Sequence, residues 1–476
     1  MKATPSLPGE PTLTPLTAEQ LRAVASPAHA LEVRAGAGTG KTTTLAHRLA
    51  RLSADGAPEH RLLAVTFTRD ATAALGRKLG GLLGRDHQVR VSSFHSWAAR
   101  ELRPEAPRFL DADEPRRIIL RALQRRPAPA AFSYALGAGG GEDVTARVLG
   151  FLSYARNAEV TVGEAILRQF PTLASWQDIL EGLSERYQDA KADRLDFDDL
   201  LILFRDRLKR SRALRDEVTG RLDHLAVDEY QDVNRAQSEI VHLLTTKTSR
   251  LPVTVVGDPR QSLYGFRGGA PSPLDAYLKA YGKRGERAPL TVSFRSTRAI
   301  VDAGNAVLPD AYPLRARPRA PKGIHPLVVG FEDARAEASA VADHLAGLLA
   351  GGAQPEDAVV LVRARGLAAR YVEELMDRRG EDVLRRVPIR TIHAAKGLEW
   401  DHVVLLGARE GGLPSEHALR APQEAQKALL DEERRLLYVA VTRARKSLMV
   451  TYPRTASRFL APLTVGQVAP AVPPKR

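Results

Sequence analysis

LEVRAGAGTGKTTTLAHRLARL, residues 31–52, decides the fold. The apolar-biased run ALEVR (30–34) meets AGAGTGKT (35–42), after which apolar residues return at helical spacing. That is a strand, a small-residue loop and a helix. Glycines 36, 38 and 40 let backbone N–H groups turn inward around an anion at the helix N-terminus. Gly36, Ala37, Gly38, Thr39 and Gly40 would cradle phosphates, with Lys41 reaching the β and γ phosphates and Thr42 binding Mg²⁺. The first glycine of the general pattern is Ala35 in this sequence. Such a loop out of context is weak evidence, and the strand before it and the helix after it supply the context.

Three further stretches repeat the pattern: LLAVTFTRDATAALGRKL (62–79), LDHLAVDEYQDVNRAQSEIVHLL (222–244) and LPVTVVGDPRQSLY (251–264). Apolar strands alternating with helices predict parallel sheets, whose ligands sit at the carboxyl ends of the strands. LAVDEYQD places Asp228 and Glu229 at such an end. Adjacent acids there can divide the labour, Asp228 holding Mg²⁺ and Glu229 orienting or deprotonating water. An Asp-Glu pair alone also suits a helix N-terminus; the phosphate loop favours the metal reading. Gln261 ends another strand, where it can sense a γ-phosphate. Tyr264, Phe266 and Arg267 follow in one loop, a stacking platform for single-stranded bases or rings packed beneath the loop. Arg295 follows a strand in LTVSFRST (290–297). Leu436, Ala440 and Arg443 are spaced i, i+4, i+7, which puts Arg443 on an apolar helix face. A guanidinium there needs an anion, either a carboxylate or a γ-phosphate met across a domain cleft.

At 476 residues the chain exceeds one hydrophobic core. Its 44 % hydrophobic and 26 % charged content fits a globular protein, and no run is long and apolar enough to span a bilayer. The polar, proline-rich start resembles no signal peptide, and zero cysteines exclude disulfides and thiolate metal sites. A reducing cytoplasm is the expected location. The net charge of +14 suits a polyanion such as nucleic acid, and also arises from scattered surface arginine. Residues 1–12 and 462–476 read as disordered tails, 105–190 as a helical insertion, and PLRARPRAPKGIHP (313–326) as a surface connector rather than core.

In order, these stretches resemble the UvrD/Rep/PcrA family of superfamily 1A DNA helicases, over the 426 residues from Gln20 to Arg445. LTAEQLRAV is similar to the Q motif, AGAGTGKT to the family's own phosphate loop, and VDEYQDVNRAQ to motif II. GDPRQSLYGFRG, SFRST, TIHAAKGLEWDHVVL and EERRLLYVAVTRA are similar to motifs III to VI. The resemblance implies an α/β protein with two RecA-like domains closing on ATP–Mg²⁺: 1A (13–104 and 190–288) and 2A (289–461), with a helical 1B subdomain (105–189). It implies nucleotide contacts from Gln20 (the adenine reader), Thr43, Phe294 and Glu399. Arg295 and Arg443 would reach in from 2A. DNA contacts are implied for Thr66, Phe67, Ser93, His95, Tyr264, Phe266, Arg267, Thr391 and His393. Thr43 stands where an adenine-stacking arginine is common, and Phe266 where many members carry Trp.

The resemblance implies a 3′→5′ translocase, monomeric on single-stranded DNA and its junctions with duplex, acting in bacterial repair or recombination. An alternative is a single-strand motor that displaces proteins, or needs a partner, without unwinding. A nucleotide-gated binding protein without turnover fits poorly with intact Lys41, Asp228, Glu229, Gln261, Arg295 and Arg443. Only 96 positions separate Arg295 from Thr391. That spacing is too short for the large 2B insertion of the family, whose place DRRGEDVLRRVP (377–388) would bridge.

Overall fold

The computed structural model describes residues 16–102, 108–125, 128–136, 143–245, 251–263, 273–364, 366–367, 371 and 386–464. Strands β1 (Ala30–Ala35), β2 (Leu62–Thr66), β3 (Arg90–Ser93), β4 (His224–Val227), β5 (Val253–Gly257) and β6 (Gly285–Leu290) form one parallel sheet, ordered β3-β2-β4-β5-β1-β6. β2, β4 and β5 are buried at every position, because helices cover both faces and each face needs apolar side chains. Leu31 and Val33 point to one face with Leu45, Leu49 and Leu75. Leu63, Val65, Leu225 and Val227 point to the other with Trp97 and Phe204.

A second parallel sheet is ordered β11-β10-β12-β13-β9, from β9 (Leu327–Phe331), β10 (Ala358–Val362), β11 (Ile389–Thr391), β12 (Trp400–Leu405) and β13 (Ala444–Pro453). Val359 and Leu361 pack towards the helix Gln423–Val441, and Ala358, Val360 and Val362 towards the helix Ala334–Ala350. The two helix-flanked parallel sheets are the RecA-like pair expected from the sequence. β7 (Val292–Ser293) and β8 (Arg315–Ala316) form a short two-stranded ladder between them.

Three details differ from expectation. β6 continues to Leu290, two residues past the expected boundary, because Ala288 and Leu290 pair with Val33 and Ala35 of β1. The stretch 313–326 is not all surface: β8 lies within it, and Leu314 and Ala320 are buried. The helix Gln423–Val441 stops two residues before Arg443, so Arg443 lies in the turn into β13 and not on the helix. The loop with Tyr264, Phe266 and Arg267, and most of DRRGEDVLRRVP, lie outside the described residues.

The helices Glu114–Arg125, Val144–Ala158, Val162–Gln169 and Gln177–Lys191 share a separate apolar core, including Ile119, Phe151, Leu180 and Tyr187. A charged knot fastens them to the first sheet's helices. Arg156 pairs with Asp196 (2.7 Å), Asp198 (2.9 Å) and Asp199 (3.2 Å), while Lys191 takes Asp199 (2.6 Å). On its other side this bundle touches the second unit. Gln169 Nε2 donates to Glu432 (3.3 Å), and His417 Nε2 donates to the Gln169 carbonyl (3.0 Å). No helix among the described residues is long and apolar enough to cross a membrane.

Candidate functional site

The carboxyl ends of β1, β4 and β5 converge on one cleft. β1 runs into the loop 36–40, whose backbone is left-handed at Gly38 (φ 73°) and Gly40 (φ 82°), conformations that favour glycine. Gly40 is the residue before the helix Lys41–Ala54, whose first N–H groups therefore have no side-chain cap and face the cleft. Gly36 needs space rather than a special φ: a Cβ there would fall 2.3 Å from Leu314 Cδ2. Gln20 is buried against this loop and donates from Nε2 to the Thr39 carbonyl (3.1 Å), and its own helix is closed by a capping box with Thr17. Thr43 accepts from Lys78 Nζ (2.9 Å).

Lys41 Nζ lies 3.3 Å from Glu229 Oε2, and Thr42 Oγ1 lies 3.3 Å from Asp228 Oδ2. Glu229 has a left-handed backbone (φ 51°), a strained conformation for a non-glycine residue. Burial and the neighbouring Glu229 push the Asp228 carboxyl up from its ordinary range. Burial acts upwards on Glu229 too, but Lys41 and Lys396 outweigh it and hold that carboxylate low, so it stays ionised. The hard oxygens of Thr42 and Asp228, side by side at a phosphate loop, fit Mg²⁺ bound chiefly through substrate phosphates. No cluster of three or more His, Cys, Asp or Glu able to hold a metal occurs among the described residues.

Gln261 sits in the turn Pro259–Gln261 after β5 and donates to Asp258 Oδ2 (2.8 Å). Its Oε1 accepts from Arg443 Nη2 (3.0 Å) across the cleft. Arg443, only 1 % exposed, also donates to the carbonyls of Val439 (3.1 Å) and Leu398 (3.1 Å). Burial, with Arg295 nearby, lowers its pKa to about 9. Arg295 pairs with Glu399 and donates to the Thr442 carbonyl (3.1 Å). Glu399 also takes Arg445 Nη2 (2.6 Å), so the acid expected at the nucleotide is bound to two arginines. The second unit closes directly on the phosphate loop: Phe294 N–H donates to the Gly38 carbonyl (2.9 Å), and Ala37 is hydrogen-bonded to the Tyr438 hydroxyl.

The expected DNA contacts divide. Ser93 caps the helix Phe94–Glu101 and Thr391 Oγ1 accepts from the Ala394 N–H (3.2 Å); both are half-buried, as are Phe67, His95 and His393. Thr66 is 1 % exposed, and its hydroxyl bonds Thr72 (2.6 Å) and the Thr68 carbonyl (3.2 Å), so it braces the loop and offers no surface. Sequence reasoning missed Phe197. It is 67 % exposed and edge-on to His95, with ring centroids 5.7 Å apart. An aromatic at the first position of a helix, just after the cap Asp196, is a misplaced core residue unless it serves a surface, and that signal was readable. It also missed Lys396, which pairs with Asp232 and donates to the Gln261 carbonyl (2.7 Å).

A family model described as the UvrD/REP helicase N-terminal domain matches residues 16–281, and one described as the UvrD-like helicase C-terminal domain matches 372–455. The chain is 27 % identical to the ATP-dependent DNA helicase UvrD2 of Mycobacterium tuberculosis, over 95 % of this chain and 80 % of the relative. It is 31 % identical to the ATP-dependent DNA helicase PcrA of Leuconostoc citreum over 61 % of this chain and 38 % of that one. It is 30 % identical to DNA helicase II of Escherichia coli over 62 % and 40 %. The chain thus spans less than half the length of these last two. With a family model over more than half its length, the chain belongs to the UvrD/Rep helicase family.

Proposed function

We propose that the protein is an ATP-dependent DNA helicase that moves 3′→5′ along single-stranded DNA. The observation that carries this reading is one cleft holding Lys41 beside Glu229, Thr42 beside Asp228, and Arg443 on Gln261 from the opposite unit. The loop N–H groups and Lys41 would bind the phosphates of ATP, and Thr42 and Asp228 would hold Mg²⁺. Bound magnesium neutralises phosphoryl oxygens and orients them for in-line attack. Glu229, kept ionised by Lys41 and Lys396, is suited to accept a proton from the attacking water. Gln261 would sense the γ-phosphate, and Arg443 and Arg295 would neutralise charge that develops during transfer. Glu399, bound to Arg295 and Arg445, would reach the nucleotide by exchanging one of these partners.

The alignment to the mycobacterial UvrD2 spans 583 positions, more than this chain's 476 residues, so over a hundred positions of that relative have no counterpart here. With the short interval between Arg295 and Thr391, this supports a motor without the 2B insertion. The test is ATP hydrolysis with and without single-stranded DNA, beside unwinding of duplexes with a 3′ or a 5′ tail by the isolated monomer. Stimulated hydrolysis and unwinding of the 3′-tailed duplex alone are expected. Hydrolysis without unwinding supports the motor that displaces proteins, preference for the 5′ tail overturns the polarity, and no hydrolysis with any DNA rejects the ATPase reading. A repair role accords with the family's tasks and is open to epistasis tests.

Phe197 is an exposed aromatic side chain on the first unit's surface, edge-on to the half-buried His95. Phe197→Ala is expected to weaken single-strand affinity by about 1–3 kcal/mol, the usual cost of one lost base stack. Unchanged affinity by fluorescence anisotropy would remove Phe197 from the DNA path.

A further inference from the structure

The turn Pro259–Gln261 carries two polar side chains at the cleft, and the reaction outlined above uses only Gln261. Its neighbour Arg260 is 6 % exposed. Arg260 Nε lies 3.4 Å from Asp258 Oδ1, long for a charge-assisted bond, and Nη1 is buried without a hydrogen-bond partner. The guanidinium carbon stands 5.0 Å from the centroid of the Tyr438 ring. A Cβ on Gly36 would fall 2.7 Å from Arg260 Nη2, so the guanidinium lies directly against the phosphate loop. Asp258 holds both side chains of the turn, Gln261 through Oδ2 and Arg260 through Oδ1, and the Tyr438 hydroxyl approaches Oδ2 at 3.5 Å. Tyr438 belongs to the second unit, and it also meets the loop at Ala37. A buried cation with an unmet donor is costly, and an apolar side chain would fill the same space at less cost. Its position between the phosphate loop, the turn with Gln261 and Tyr438 of the second unit supplies a reason for the charge.

We propose that Arg260 is a positioning residue for phosphate transfer. It ties the loop backbone at Gly36 and the sensor Gln261 to the Tyr438 face, so that Arg443 meets Gln261 only when the two units close. This rests on the ATP-hydrolysing reading. The residue acts through its neighbours, and its signature is therefore a change in the closed state and not in nucleotide capture.

The test uses the full chain with Arg260→Met, which keeps the length and stacking of the side chain, and Arg260→Lys, which keeps the charge. Single-strand-stimulated turnover is measured beside equilibrium binding of a non-hydrolysable ATP analogue and of ADP. Arg260→Met is expected to lower kcat about 10- to 100-fold, the worth of one or two charge-assisted bonds. Its ADP affinity should stay near wild type while the preference for the analogue over ADP falls, and Arg260→Lys should recover part of both. Wild-type kcat and wild-type preference in Arg260→Met would overturn the inference. So would an equal loss of affinity for both nucleotides, which marks a merely structural defect. If the wild-type chain hydrolyses nothing, the ATPase reading fails separately, and the analogue-to-ADP ratio still decides the role of Arg260 because it needs no turnover.

Discussion

Arg443→Ala is expected to lower single-strand-stimulated ATP turnover by about 10³- to 10⁵-fold, the range in which an arginine finger acts. Every hydrogen bond of the Arg443 guanidinium goes to a neutral acceptor: Gln261 Oε1, the hydroxyl of Thr442 and the carbonyls of Val439 and Leu398. Burial and the nearby Arg295 both press against its charge, which is why its pKa falls to about 9. A cation held at such expense beside a phosphate loop has no carboxylate among its hydrogen-bond partners, with Glu229 and Glu399 acting on it only through space, and the γ-phosphate is the anion the cleft would bring to it. Alanine also takes this donor from Gln261 Oε1 and from the Leu398 carbonyl, so lost turnover alone could reflect lost folding. Arg443→Lys keeps the charge and the approach to those carbonyls but not the planar fork. It is expected to stay folded, bind ADP as wild type does, and still lose turnover at least about 100-fold. A folded variant of either kind turning over within about tenfold of wild type, less than one preorganised donor is worth, would remove Arg443 from the reaction.

Glu229→Gln is expected to lower turnover by about 10²- to 10⁴-fold, the contribution of a positioned general base, with ATP binding retained. The substitution keeps the side chain's shape and leaves the left-handed backbone at that residue as strained as before. What it removes is the ionised carboxylate that Lys41, at 3.3 Å, and Lys396 maintain. Rapid quench separates the two steps: binding should proceed and phosphate should not form. Residual turnover near wild type would overturn the assignment of Glu229 as base. Metal binding should survive, because the metal is proposed for Asp228 and Thr42.

The parallel sheets and the nucleotide cleft were legible because each strand announces its own end. ALEVR, LLAVT, HLAV and VTVVG are short apolar runs that stop at glycine, threonine or acid, and the backbone there has little choice. Arg443 was legible as a residue and misread as an element. Helical spacing continued through Arg443 on paper, but the helix ends at Val441 with Thr442 as its cap, the Thr442 hydroxyl bonding the Tyr438 carbonyl at 2.8 Å, and Arg443 lies in the turn that follows. Leu314 was misread for the opposite reason. Its neighbours are arginines and prolines, which mark a surface connector, yet the phosphate loop has a glycine-sized gap that a leucine fills. Contacts such as Lys396 with Asp232 across the cleft, or Glu399 with two arginines inside the second unit, join residues far apart in the chain. Periodicity within a segment carries no information about them. The residues proposed to meet DNA were the least legible, since Thr66 is buried and Phe197 exposed, and only packing settles that.

The contact of Gln169 with His417 and Glu432 has a topological consequence. It completes a ring that runs from the first sheet through the helical bundle to the second sheet, and back across the nucleotide cleft. A strand lying beneath that bridge would be encircled and not merely adhered to. Linear polymer could thread in by its end, whereas a closed circle could enter only after the bridge parts. Polar contacts of about 1 kcal/mol each are a weak clasp, so grip would come from enclosure and release from a brief opening.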